Sequence, residues 1–477
     1  MNHDFTYDLE TYPNVFTACF EHIPSGMMVE YEISDWRNDS KEIIAFCQWL
    51  ADTNARCIGF NNVGFDYPVL HTLLRMGYAT ADTLYQKAMQ IIQSQGFGGD
   101  EAPDRFMHSV KPGDRIVKQL DLYRLHHFDN KAKSTSLKML EFNMGSKNVE
   151  DLPFPVGTRL TREQADVLKK YNRHDVRETT KFYHHSVPMI KFREDMLRKY
   201  PGKDWLNFND TKIGKEYFIM RLEEGGVQCY DFGPNGRQPR QTKRPQVALK
   251  DAILPWIKFQ HPEFNRILEW LKAQVVTETK GVFEDVTAVI NGFEFVFGLG
   301  GIHGSVESEI LISDDEYMIV DLDVASMYPN LAIANGFYPY HLGETFVKIY
   351  KDLYEERKKY PKGSAENATI KLALNGTFGD SNNKFSVFYD PLFMLSITLN
   401  GQLQLCLLAE TLMANIANLK MIQVNTDGIT VRIPRVHKSL LDQVCKWWES
   451  VTKLQLEEAI YKKMCIKDCN NYLAVYE

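Results

Sequence analysis

The sequence predicts a multidomain protein of α/β and α+β class, and three observations carry that expectation. A chain of 477 residues is too long for a single hydrophobic core. Strand-like alternation at Phe5 to Leu9 and Val15 to Phe20 gives way to helical periodicity from about Lys41, the mixing expected of an α/β domain. In the C-terminal third, acidic strand ends and turns surround a pair of helices, which reads as α+β.

Along residues 1–190, the last long helix opens on a capping box formed by Thr161 and Gln164 and runs to about Tyr183. Residues 191–297 read as mainly helical, interrupted by DFGPNGRQPRQTKRP (Asp231 to Pro245). That Gly-, Pro- and cation-rich stretch reads as a loop, suited equally to phosphate contact or to a solvated connector. Further on, Glu344 to Tyr360 and Glu366 to Phe378 are helical and separated by Pro361, Gly363 and Ser364, an antiparallel hairpin of helices.

Composition is that of an ordinary globular protein, and a net charge of -7 argues against a protein that coats nucleic acid nonspecifically. It leaves room for a local basic channel. No N-terminal apolar segment and no stretch of about 18 uncharged apolar residues stand out, so neither membrane nor secretion is expected and a cytoplasmic location is. The eight cysteines are scattered, and the lone C-x3-C at Cys465 and Cys469 lacks the second pair a zinc site needs. Reduced thiols are the expectation.

Chemistry concentrates in three segments: VDLDVASMYPN (Val320 to Asn330), KLALNGTFG (Lys371 to Gly379) and QVNTDGITV (Gln423 to Val431). Asp321 and Asp323 end a strand and share a face. Asp427 stands at the turn of a hairpin. Carboxylates from different strands suit a two-metal phosphoryl-transfer site, because Mg²⁺ prefers oxygen ligands and few of them from protein. Lys371, Asn375 and Phe378 fall on one helical stripe, where a Lys neutralises phosphate and an aromatic stacks near a base. Taken singly, each feature is more often structural.

In this order and spacing the segments resemble the palm and fingers motifs of family B DNA polymerases, especially short phage-type members. DVASMYP is similar to D-x2-S-L-Y-P, KLALNGTFG to K-x3-N-S-x-Y-G, and NTDG to D-T-D-S. The resemblance implies that Asp323 and Asp427 hold two Mg²⁺, with Mn²⁺ as a substitute, and that the Val324 carbonyl completes the shell. It implies that the N–H groups of Ser326 and Met327 cradle phosphate oxygens, that Tyr328 lies under the sugar, and that Lys371, Asn375 and Arg357 meet the triphosphate. Gly300 and Gly301 of GLGG resemble a Y-x-G-G template contact, and Lys467 and Tyr472 a K-x-Y element near the primer terminus. Asn425, Gly376 and Phe378 depart from the usual Asp, Ser and Tyr.

A second constellation lies upstream. YDLET sets Asp8 and Glu10 on one strand face, NNVGFD supplies Asp66, and Tyr171 and Asp175 are i, i+4 neighbours on the capped helix. The set resembles the DEDD-type 3′→5′ exonucleases of ribonuclease H-like fold. It implies Asp8, Glu10, Asp66 and Asp175 as ligands of two further Mg²⁺, Tyr171 orienting the attacking water, and either Asn61 or Asn62 contacting single-stranded DNA.

Together the resemblances divide the chain into an exonuclease domain at 1–190, a connecting region at 191–297, a palm at 298–343 and 380–477, and two-helix fingers at 344–379, with no thumb. They imply a DNA-templated DNA polymerase with proofreading, acting on primer–template DNA and deoxynucleoside triphosphates in the cytoplasm of a bacterial host. A thumb-supplying or processivity partner is expected. Two other readings stay open: a 3′→5′ exonuclease with a vestigial polymerase half, motivated by Asn425 and the missing thumb, and a non-catalytic DNA-binding replisome component.

Overall fold

The structure is a computed structural model that describes residues 3–95, 107–130, 132–234, 236–279, 281, 283 and 285–477. It is mixed α and β and divides into two compact units, Met1–Ile213 and Gly214–Glu477.

The first unit is built on a five-stranded sheet. Strands β1 (Phe5–Tyr12), β2 (Val15–His22) and β3 (Met27–Ser34) form an antiparallel meander. After α1 (Ser40–Asp52), β4 (Arg56–Gly59) runs parallel to β1. Helices α2 (Asp66–Met76) and α3 (Ala81–Gln95) follow, then β5 (Lys118–Asp121) beside β4, giving the order β3-β2-β1-β4-β5. The period-two pattern of β1 decides what each face does. Phe5, Tyr7 and Leu9 point into a core with Ile43, Cys47 and Leu50 of α1, Leu70 and Leu73 of α2, and Leu84 and Ala88 of α3. The alternate residues Thr6 and Asp8 meet the opposite helix.

Short α4 (Leu122–Leu125) and α5 (Leu137–Asn143) precede that helix, α6 (Arg162–Lys199). Its N-terminus carries the expected capping box of Thr161 and Gln164. Its C-terminus does not stop at Tyr183. The helix runs 38 residues, through Pro188, because Phe182, Ile190 and Met196 continue its buried stripe and outweigh the hydrogen bond that a proline removes.

Helix α7 (Asp210–Glu224) leads into the second unit, and there the expectation of a mainly helical 191–297 is corrected. Within the loop-like Asp231 to Pro245 lies a hairpin of β6 (Tyr230–Gly233) and β7 (Gly236–Pro239). Strands β8 (Val247–Ala248) and β9 (Val275–Val276) pair on either side of α8 (Pro262–Ala273). Strands β10 (Thr287–Ile290) and β11 (Phe293–Phe297) join at Asn291 and Gly292, both left-handed at φ 50° and 79°, the asparagine–glycine turn that favours a tight hairpin.

That hairpin begins a nine-stranded antiparallel sheet. It continues through β12 (Ile302–Ser305), β13 (Glu309–Ile312) and β14 (Tyr317–Val324), then β15 (Lys420–Asn425), β16 (Gly428–Pro434), β17 (Leu456–Asp468) and β18 (Asn471–Tyr476). Strand β14 lies between β16 and β17. Helix α9 (Met327–Asn335) leaves its end, and α10 (Thr345–Lys358) and α11 (Ala365–Gly379) form the expected helical hairpin.

The core is organised by α12 (Pro391–Asn415), which packs on α9 and, through Trp448, on α13 (Lys438–Thr452). By length and composition α12 could cross a membrane, which the sequence reading did not anticipate, yet 89% of its most apolar window is buried in the protein. Two of its polar side chains bond inside, Asn400 donating to the Ala252 carbonyl and Gln402 to that of Gly298, whereas the buried Gln404 amide has no hydrogen-bond partner among the described residues.

Candidate functional site

In the first unit, the Asp8 and Glu10 face of β1 meets Tyr171, Asn172 and Asp175 of α6. Asn172 donates to Asp8 at 2.7 Å and also receives the Thr17 hydroxyl. Asp8, Glu10 and Asp175 offer oxygens that all lie within 4.8 Å of one another. Asp66, in the first turn of α2 where the helix dipole favours an acid, stands outside that three-acid group but near enough to act on Asp8. The turn that delivers Asp66 is pinned by Asp121, a fully buried carboxylate accepting the N–H groups of Asn61 at 3.0 Å and Val63 at 3.1 Å.

Packing like charges away from water raises their proton affinity. Burial, then Asp66, pushes Asp8 well above the usual carboxylate range; burial, then Asp8 and Asp175, does the same to Glu10. Asp66 rises to about 7, mainly by burial. Asp175 rises to about 8 through burial and Asp8, against the pull of the Tyr171 phenol that donates to it. Such a site lacks positive charge. Its all-oxygen donor set fits a hard divalent cation, which would supply that charge. Glu141, His174 and Asp175 form an adjoining group with the same spacing, and His174 Nε2 lies 3.0 Å from Glu141.

In the second unit, β14 puts Asp323 opposite Gly428 on one side and Glu457 on the other. A Cβ on Gly428 would collide with the Asp323 carboxylate, so only glycine lets that acid lie against the hairpin. Thr426 and Asp427 form the two-residue turn, with Thr426 held at φ 61°. The Asp427 carbonyl accepts the Val324 N–H at 2.8 Å, tying the turn to the end of β14. Burial, then Asp321, Asp427 and Glu457, lifts Asp323 to about 6, and Asp427 is raised by burial. Asp321 is occupied by the hydroxyls of Thr430 at 2.6 Å and Tyr461 at 2.8 Å, which makes it a brace.

A cleft of about 910 Å³ is lined by Asp427 and Glu457, while Asp323 and Asp321 are not among its described lining residues. Asp427, Ser326, Met327, Tyr328, Arg357, Lys371, Asn375 and Phe378, each singled out from sequence, all line it. Ser326, at φ 45°, turns the chain so that α9 starts at the cleft, its first N–H groups without a side-chain cap. Tyr328 and Phe378 stack with ring centroids 4.0 Å apart, so the two aromatics expected at sugar and base form one wall. Lys358 and Lys362 add positive charge, and Glu457 adds a carboxylate.

Other sequence-chosen residues fall elsewhere. Asn62 is fully buried with its amide against Gln119, so it packs the strand end and is removed as a DNA contact; Asn61 keeps surface exposure. Gly300 and Gly301 lie in a turn next to Thr426, whose N–H donates to the Ile302 carbonyl. Lys467 and Tyr472 line a separate cleft of about 540 Å³ on β17 and β18, and neither lines the larger one. The Tyr472 phenol is raised chiefly by burial and then by Asp321 and Asp323. Asn425, in place of an acid, donates to the Cys469 carbonyl at 3.2 Å, a bond that a carboxylate could not make. Asp121, Asn172 and Glu457 were missed because each reaches its site through long-range pairing that leaves no local pattern.

Neither the protein-family models nor the curated proteins compared with this chain match it.

Proposed function

We propose that the chain is a DNA-templated DNA polymerase of family B type with a 3′→5′ proofreading exonuclease, the second unit built as a palm with two-helix fingers and the first as a ribonuclease H-like nuclease. One observation carries the reading: eight residues chosen from sequence, seven by motif and Arg357 by its place on the first fingers helix, line a single cleft from α9 and its N-cap, α10, α11 and the β15–β16 turn. Chance exposure in four places does not favour one concavity.

Asp323 and Asp427, with Glu457 nearby, would hold Mg²⁺ in the second unit, and Asp8, Glu10, Asp66 and Asp175 in the first. Bound there, Mg²⁺ would neutralise charge on the transferring phosphoryl group and polarise the attacking oxygen. The chain's own residues do the positioning. Arg357, Lys358, Lys362 and Lys371 surround the space for a triphosphate with cations. The N-terminus of α9 offers backbone donors to its oxygens. Tyr328, stacked on Phe378, presents a rigid wall to the sugar of an incoming nucleotide and so discriminates against an added 2′-hydroxyl. In the first unit, Tyr171 shares a hydrogen bond with Asp175 and orients water toward the terminal phosphodiester.

The test is a labelled primer–template with Mg²⁺, with and without deoxynucleotides, on wild type, Asp427→Ala and Asp8→Ala. Extension lost only with Asp427→Ala, and shortening lost only with Asp8→Ala, supports two separate sites. A wild type that does not extend the primer overturns the polymerase reading.

A further inference from the structure

A third cleft in the Gly214–Glu477 unit, about 730 Å³, lies past the C-terminal end of α11 and shares one residue, Gly379, with the nucleotide cleft. Its edge carries Phe385, which is 86% exposed. Leaving a phenylalanine in water forgoes about 1.5–3 kcal/mol of burial, so a folded chain normally turns it inward. Here the loop is built to prevent that.

Ser386 N–H donates to the Asn383 carbonyl at 2.8 Å, and Phe385 N–H to the Asn383 side chain at 3.0 Å. The Ser386 hydroxyl reaches Asp380, itself paired with Lys215 at 2.6 Å. The Gln241 amide clamps the carbonyls of Lys384 at 2.8 Å and Ser386 at 2.7 Å. Phe385 is thus displayed from a cross-braced turn, its ring offered as a flat apolar face. Around it the cleft presents Lys384 and the Thr277 hydroxyl, while Arg244 is held by Asp390 at 2.7 Å and the Asn383 amide by Asp380 and the Phe385 N–H; Glu278 is the one acid among the described lining residues. A free aromatic face beside a lysine and a neutral hydroxyl is the chemistry that holds an unpaired nucleobase and its phosphate.

We propose that Phe385 is a stacking platform for a single-stranded nucleic acid, and, resting on the polymerase reading, that the strand it holds is the unpaired template next to the nucleotide cleft. The bases stack on Phe385 without sequence preference, and Lys384 neutralises the adjoining phosphate. The platform holds the template strand clear of the helix end at Gly379.

The test measures binding in chelator, where neither site can turn over. Wild type, Phe385→Ala and Phe385→Trp are titrated with a primer–template carrying a 5′ single-stranded overhang with 2-aminopurine in it, and with the same duplex blunt-ended. Melting temperatures check the fold, and the exposure of Phe385 argues that all three are equally stable. Phe385→Ala is expected to bind the overhang substrate roughly tenfold more weakly and to lose the 2-aminopurine quench. Phe385→Trp restores both, and blunt duplex is bound alike by all three. Equal overhang affinity and quench in wild type and Phe385→Ala overturns the platform, and primer extension by wild type in Mg²⁺ then leaves the polymerase reading standing. Loss of overhang binding in Phe385→Ala with no extension by wild type keeps the platform and overturns the template assignment. A partner protein as the true occupant would show itself as equal nucleic acid binding by all three, which also overturns the proposal.

Discussion

Replacing Asp66 with asparagine should stabilise the metal-free protein, and the effect should depend on pH. Asp66 is 5% exposed at the start of α2, and its folded-state pKa is raised from 3.8 to about 7, first by burial and then by Asp121. Between those two values the folded chain binds more protons than the unfolded one, so stability falls as pH rises from about 4 to about 7 and stays low above. At about 1.4 kcal/mol per tenfold change in proton affinity, holding Asp66 ionised costs on the order of 4 kcal/mol. The acids of the cluster titrate together, so part of that cost is shared. Asparagine keeps an oxygen to accept the Leu9 N–H that now reaches Asp66, and it carries no charge. Thermal melts in chelator should show Asp66→Asn close to wild type at pH 4 and higher at pH 8, by on the order of 5 °C or more for the transition of the first unit. Excess Mg²⁺ at pH 8 should raise wild type more than the variant, because the cation supplies the charge the cluster lacks. A variant that melts at or below wild type at pH 8 in chelator would refute the reasoning.

Gly428→Ala puts a methyl group where the Asp323 carboxylate lies, so primer extension should fall at least about a hundredfold while exonuclease shortening of the same primer persists. Asn425→Asp loses the donor to the Cys469 carbonyl, which keeps Gln423 at 2.7 Å; urea denaturation should report a loss of about 1 kcal/mol. Lys371→Ala, on the exposed stripe of α11, should leave melting unchanged and raise the KM for deoxynucleotides roughly tenfold, read by steady-state extension. Tyr171→Phe should slow shortening about a hundredfold with extension intact, since only the phenol donated to Asp175 is removed.

Features encoded by neighbours in sequence were legible. The strands β1 and β2, the Thr161 capping box and the paired helices α10 and α11 all stand where local pattern puts them, although Val15 to Phe20 of β2 are buried on both faces and do not alternate. What was not legible depended on partners far along the chain. Pro188 ends a helix by local rules, yet α6 continues because its stripe is buried beyond it. The hairpin of β10 and β11 carries a clear Asn-Gly signal, but the longer periodic runs of α7 and α8 dominate the local pattern of residues 191–297. Asn61 and Asn62 could not be separated by register alone; the burial of Asn62 separates them. Glu457 became a candidate ligand only when β17 was seen to pair with β14.

Both candidate sites depart from local preference in the same two ways. Each sets uncompensated carboxylates against one another, and each delivers them through a turn with a non-glycine residue in the left-handed region: Asn61 at φ 63° ahead of Asp66, Ser326 at φ 45° at the start of α9, and Thr426 at φ 61° before Asp427. A β-branched threonine there is strained by on the order of 1–3 kcal/mol. Neither departure stabilises the fold. The strained turns are held by bonds from outside themselves: the Asp121 carboxylate on Asn61, the Gln455 carbonyl on Ala325 beside Ser326, and the Ile302 carbonyl on Thr426. Acids held close by strained turns fit a divalent cation, whose binding would make that charge favourable.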